Sequence, residues 1–215
     1  GLDVQISRAE PGQADNEASA RRWRYSELQK AAETFCGDVV TAHTASDRAE
    51  GVVMNLARGC DIQGLSALRN TRLLSAETPD GPRLRRPFLH LTREETAAIC
   101  TTLQLPIWLD PSNADLTMER NRIRHQVIPV LNDLHPGCEK RIAGLSERIA
   151  QLRDTQAGLS ELAVQHLSRE SGLDRQKMRR LDDPTCRTVL ATWIRKEKAP
   201  SISSKTLDEL SHRLR

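Results

Sequence analysis

Apolar positions along the chain change period several times, and each change predicts an element. Val4, Ile6 and their neighbours read as a short strand that a turn at Pro11 and Gly12 ends. From about Asn16 to Phe35 the spacing becomes helical, with Ala20, Leu28, Ala31 and Phe35 on one face. Gly37 and Asp38 close that helix, and Asp38 to Ala42 read as a buried strand ending at His43. Thr44 followed by Asp47 has the spacing of a capping box, and Ala49, Val52, Val53 and Leu56 form the apolar stripe of the next helix. Strand, helix, strand, helix predicts a parallel sheet.

Residues 70 to 86 hold two extended pieces around Pro79, Asp80, Gly81 and Pro82, a hairpin or loop with a basic exit at 83 to 86. Thr92 and Glu95 make a second capping box, opening a helix that ends near Leu103. Two polar motifs follow, Asp-Pro-Ser-Asn at 110 to 113 and Asn-Arg-Ile-Arg-His at 121 to 125. Beyond Pro136 and Gly137, Ile142, Leu145, Ile149, Leu152, Leu159 and Ala163 recur at helical spacing in a charged background. Asp183 with Pro184 reads as a cap and first turn ahead of Cys186, Val189, Leu190, Trp193 and Ile194, and Ser203 or Ser204 can start a last helix. The expected architecture is an α/β, Rossmann-like parallel sheet over 1–135, followed by a small all-helical domain over 136–215.

Composition narrows the function classes. No apolar run approaches the roughly 18 residues of a membrane helix, and the first residues, with neither Met nor an apolar leader, read as the inside of a longer protein. Five cysteines, Cys36, Cys60, Cys100, Cys138 and Cys186, form no C-x-x-C pair, which argues against zinc, iron–sulfur and a disulfide framework and fits a reducing cytoplasm. The net charge of +3 announces no nucleic acid by itself. Only six of the 32 basic residues are Lys. The planar Arg fork suits phosphate oxygens, although a GC-rich genome raises Arg as well.

Candidate chemistry gathers first at the strand end. Beside His43, Asp47 and Glu50 are three apart on one helical face, where two carboxylates could hold an ammonium group, bind magnesium at Asp47, or serve as general base. The plainer reading is that acids are favoured at a helix start by the macrodipole. Arg58 and Gly59 end that helix. In NEASARRWRY, Arg21 and Arg24 interleave with Trp23 and Tyr25 and could grip RNA by charge and stacking, or simply cover an amphipathic helix. Arg122 and Arg124, two apart, cannot share a helical face, so one can reach phosphate while the other braces the fold.

The succession NEASARRWRY, AHTASDRAEGVVMNLARGCDIQGL, RRPFLHLTREE, WLDPSNAD and ERNRIRHQVIPVL resembles, in order and spacing, the catalytic domain of the tRNA(Ile)-lysidine synthetase family. LDRQKMRRLDDPTCRTVLATWIR at 173–195 resembles that family's helical substrate-binding domain. The resemblance implies a PP-loop, or N-type, ATP pyrophosphatase fold whose Ser-Gly-Gly-x-Asp-Ser phosphate loop is absent from this sequence, so that these 215 residues alone are expected to be inactive. It further implies ATP and Mg2+ as cofactors, L-lysine and the CAU-anticodon tRNA(Ile) as partners, a cytoplasmic protein with no membrane association, and room for a homodimer. Carried over by position, His43, Asp47 and Glu50 are the catalytic candidates, with Asp47 also the metal candidate. Arg21, Arg24, Arg58, Gly59, Asp110, Asn113, Asn121, Arg122 and Arg124 are the substrate, RNA or phosphate candidates. Thr44, Ser46 and Gly51 stand where many relatives carry His, Asp and Thr. Two other readings are a PP-loop tRNA thiolase, whose chemistry usually relies on paired cysteines this chain lacks, and a non-catalytic RNA-binding module.

Overall fold

A computed structural model describes residues 4–13, 16–66, 68–75, 78, 80–170, 172–197 and 202–214. Packing divides the chain into two compact units, 1–149 and 150–215.

In the first unit, Asn16 caps α1 (Glu17–Thr34) through a reciprocal box with Ser19. The chain then enters β1 (Val39–Val40) and α2 (Ala45–Ala57), whose Thr44–Asp47 box matches the spacing in the sequence. A one-turn helix α3 (Ile62–Leu65) leads to β2 (Thr71–Leu73) and β3 (Arg83–Arg85). The sheet order is β1-β3-β2: β1 runs parallel to β3, with Val39 opposite Leu84, and β2 is antiparallel to β3. The sheet is therefore mixed, because β2 and β3 form the hairpin suggested by the turn residues between them; Pro79 of that turn lies outside the described residues. Asp38 fastens β1 to β3 by accepting from the Arg83 amide at 2.8 Å and from the Arg85 side chain. Leu84 is fully buried at the sheet centre.

Next come α4 (Arg93–Thr102), capped by Thr92 with Glu95, and a 3₁₀ turn at Pro111–Ala114. Then α5 (Glu119–Arg122), a π-helical turn at Ile123–Val127 and α6 (Ile128–Leu134) run consecutively. Ala49 of α2, Ile123 and Ile128 form the buried core here, with Val53, Met54, Leu131 and Ile142 packed around it.

The second unit is built on the later part of α7 (Cys138–Leu167), α8 (Arg175–Met178), α9 (Asp183–Lys196) and α10 (Ser204–Leu214). Val164, Leu167, Met178, Cys186, Val189 and Leu190 make its core. The cap of α9 is Asp182, which accepts from the Thr185 amide at 3.0 Å; Asp183 is its first helical residue.

Five expectations need correction. Val4 and Ile6 are exposed and lie in irregular chain with no strand partner among the described residues, so alternation there found no ladder to join. The packing division falls inside α7, not at 135/136, because Ser146 donates to the Leu65 carbonyl at 2.6 Å and Glu147 pairs with Arg48 at 2.8 Å. The second unit is not purely helical: β4 (Ser168–Arg169) and β5 (Gly172–Leu173) form an antiparallel pair. The buried face of α7 carries Ala143, Ser146, Ala150, Ser160 and Val164, whereas Leu145, Leu152 and Leu159 are exposed. Likewise Phe35, Val40 and Leu56 are exposed, and Ala32 is the buried residue of α1. Among the described residues no helix is long and apolar enough to cross a membrane.

Candidate functional site

The strand end at His43 opens onto a cluster of two acids and three arginines. Glu50 is 2% exposed, and both its oxygens are filled. Oε1 accepts from Arg93 and from Arg124 Nε, each at 2.9 Å; Oε2 accepts from Arg120 Nε at 2.9 Å and from Arg124 at 3.2 Å. Asp47 Oδ2 accepts from the Thr44 amide and hydroxyl, both at 2.8 Å, while Oδ1 takes Arg120 at 3.0 Å and Arg93 at 3.2 Å. Burial alone would push both carboxyls up. The Thr44 donors with Arg93 and Arg120 outweigh it at Asp47, and Arg124, Arg120 and Arg93 do so at Glu50, so both stay below the ordinary carboxylate range.

Three guanidiniums against two carboxylates leave one surplus positive charge. Arg93 and Arg120 keep about 41% and 34% of their side chains exposed, so the acids present them outward as an ordered pair of forks. Arg124 also reaches Asn113 Oδ1 at 3.0 Å, and His125 is bonded to the Asn113 carbonyl. The π-helical turn carries Arg124; such turns recur at functional sites because they re-aim one side chain within a helix.

His43 is half-buried, with Nδ1 2.9 Å from the Thr41 hydroxyl. Burial lowers its pKa, the Asp47 charge works the other way, and Arg86, Arg120 and Arg21 lower it further, so the imidazole is neutral near pH 7.

Magnesium at Asp47 does not fit this donor set. Each Asp47 oxygen already takes two donors, and guanidiniums surround it where a divalent cation needs free oxygens. Among the described residues no group of three His, Cys, Asp or Glu could hold a metal ion.

The structure thus brings together His43, Asp47, Glu50, Asn113 and Arg124, with Arg21 close enough to act on His43. Other candidates have local duties. Arg58 pairs with Glu119. Gly59, at φ +72, closes α2 in a Schellman turn, in which the Cys60 amide donates to Asn55 and the Gly59 amide to Leu56. Asp110 caps the 3₁₀ turn, and buried Asn121 donates to the carbonyls of Ser112 and Asp115, both at 2.9 Å. Arg24 and Arg122 are exposed and make no side-chain bond among the described residues. Arg93 and Arg120 were missed. Arg93 starts a helix, where the macrodipole disfavours a cation, and Arg120 sits four residues before Arg124; both were readable signals.

A family model described as "PP-loop domain" matches residues 2–131, well over half of the chain. The chain belongs to the PP-loop family. This PP-loop chain is 50% identical over 213 residues to the tRNA(Ile)-lysidine synthase of Parasynechococcus marenigrum (strain WH8102), covering 99% of this chain and 63% of that protein. With the tRNA(Ile)-lysidine synthase of Prochlorococcus marinus (strain SARG) it shares 42% identity over 221 residues, 99% of this chain and 65% of the relative. It therefore spans somewhat under two thirds of the curated relatives it matches. A solved structure, the U34-tRNA thiolase NcsA from Methanococcus maripaludis with its [4Fe-4S] cluster, superposes with a TM-score of 0.51 at 21% identity, over 66% of this chain and 46% of that one. That likeness concerns the PP-loop fold.

Proposed function

We propose that this PP-loop chain is part of a tRNA(Ile)-lysidine synthetase, with its first unit belonging to the catalytic domain and its second, mostly helical unit to a tRNA-binding domain. The observation that supports this best is the alignment of nearly the whole chain with lysidine synthases. In the proposed reaction, O2 of the wobble cytidine in the CAU-anticodon tRNA(Ile) attacks the α-phosphorus of ATP, forming an adenylate and releasing pyrophosphate. The side-chain amine of lysine then bonds to C2, the C2–O bond breaks, AMP leaves, and the amine gives up its proton.

The geometry suits the phosphate side of this chemistry. Charge accumulates on phosphate oxygens in both steps, and fixed guanidiniums stabilise such charge without reorganising. Arg93, Arg120 and Arg124 are held for that task, with Asp47 and Glu50 as positioning acids whose lone pairs are filled rather than as direct lysine ligands. His43, neutral and half-buried, is the proton acceptor in this reading. The metal role of Asp47 is not carried forward.

Lysine incorporation into the cognate tRNA by the full-length protein tests the reading. Arg120→Gln should lower kcat by about 10²-fold, typical for loss of one preorganised donor, in a protein that circular dichroism shows still folded. Wild-type protein that incorporates no lysine would remove the proposal, and an Arg93→Gln/Arg120→Gln double variant at full rate would remove the assigned site.

A further inference from the structure

Around Tyr25 the first unit gathers positive charge without an acid. The guanidinium carbons of Arg21 and Arg72 each lie 5.0 Å from the Tyr25 ring centroid. Arg86, 3% exposed, donates to the Arg69 carbonyl at 2.7 Å, and its charge acts on the Tyr25 phenol. Helix α1, strand β2 and the residue following β3 thus converge on one phenol. Among the described residues no carboxylate forms an ion pair with Arg21, Arg72 or Arg86, and the buried Nε of Arg86 has no hydrogen-bond partner.

The arginines around α2 behave differently. Buried Arg48 has Glu147, and Arg93, Arg120 and Arg124 share Glu50 and Asp47. Desolvating a guanidinium without a counter-charge is costly, so an acid-free trio calls for an anion from outside. The ring faces of Tyr25 hold two of the cations meanwhile. Three forks and a hydroxyl offer more donors than a carboxylate ligand can accept, and they suit the several oxygens of phosphate. Arg21 is exposed and Arg86 buried, so the trio runs from the surface inward. Arg21 and Arg86 also act on His43, so the trio adjoins the strand end described above.

We infer that Arg21, Arg72, Arg86 and the Tyr25 hydroxyl bind one phosphate group, of a nucleotide or of an RNA strand. Tyr25, Arg72 and Arg86 are new to the site. The choice of nucleotide or RNA as the source rests on the reading proposed above, whereas the anion site itself does not.

Thermal melting of the full chain with inorganic phosphate, at ionic strength matched with chloride, is the direct probe. Phosphate should raise the midpoint of wild type and of Arg187→Gln, a control in the second unit. Arg72→Gln and Tyr25→Phe, which spare buried Arg86, should lose most of that rise; if both respond like wild type, the site is wrong. A second arm identifies the source in the full-length protein. If AMP supplies the phosphate, its affinity should fall at least tenfold in Arg72→Gln. If RNA supplies it, the slope of log affinity against log salt for the anticodon stem-loop should shrink by about 0.7. Both ligands binding Arg72→Gln as they bind wild type would also overturn the inference. A phosphate response lost in Arg72→Gln in a protein that incorporates no lysine keeps the site and loses the functional reading. The opposite pair of results does the reverse.

Discussion

Glu50 shows how much one side chain can organise. It lies on a short-period acid pattern that helix-start electrostatics could explain, yet its partners are 43, 70 and 74 residues away in sequence. Replacing it by Gln keeps the shape and leaves three guanidiniums short of a charge. Since Arg93 and Arg120 are partly solvated, the cost should sit near the lower end for a broken buried ion pair, about 3 kcal/mol, measurable by urea denaturation. The pH dependence follows from the same contacts. Asp47 and Glu50 are held below their ordinary values of 3.8 and 4.5, so their stabilisation is complete above that range and is lost as pH falls through the lower folded values. His43 is held below 6.5, so as pH falls past 6.5 the unfolded chain takes the proton first and stability drops. His43→Gln should flatten stability between about pH 6.5 and 5; an unchanged slope there would contradict the burial assigned to the imidazole. The acids and the histidine were readable from their place at a strand–helix junction. Their partners were not, because ion pairing across the fold leaves no local periodicity.

At the level of elements, α2 was the most legible. Its capping box, its apolar stripe and its Gly59 terminus all act locally, and all three recur in the structure apart from the outermost Leu56. Two glycines in and after this helix have opposite meanings. A Cβ on Gly51 would meet open space, so nothing in the structure explains a glycine there, and Gly51→Ala should stabilise by about 1 kcal/mol. Gly59 has φ +72 and equally open space, so Gly59→Ala should cost about 1 kcal/mol through the backbone alone. Melting temperatures moving in opposite directions would bear out both assignments; a shared direction would refute one of them. In α7 the apolar pattern misled, since the buried face is made of small residues that allow close packing while several leucines stay at the surface.

For the molecule as a whole, two units carry separate cores. Met178 is fully buried among Val164, Leu167, Cys186 and Val189, so Met178→Ala should destabilise the second unit by about 2 to 4 kcal/mol. Amide exchange should accelerate in α9 while α2 keeps its protection; equal acceleration in both would mean the cores unfold together. Local chemistry alone was enough to mark α1, α2, α4 and α9, the boxes that open α2 and α4, and the family motifs, because capping, periodicity and turn residues act within a few positions. It could not say that Arg93 and Arg120 complete the acid cluster, that Asp110 and Asn121 bond within their own loop, or that Arg21 and Arg72 meet over the Tyr25 ring. Those roles depend on charges brought together from distant segments and withdrawn from water, and only folding sets their distances.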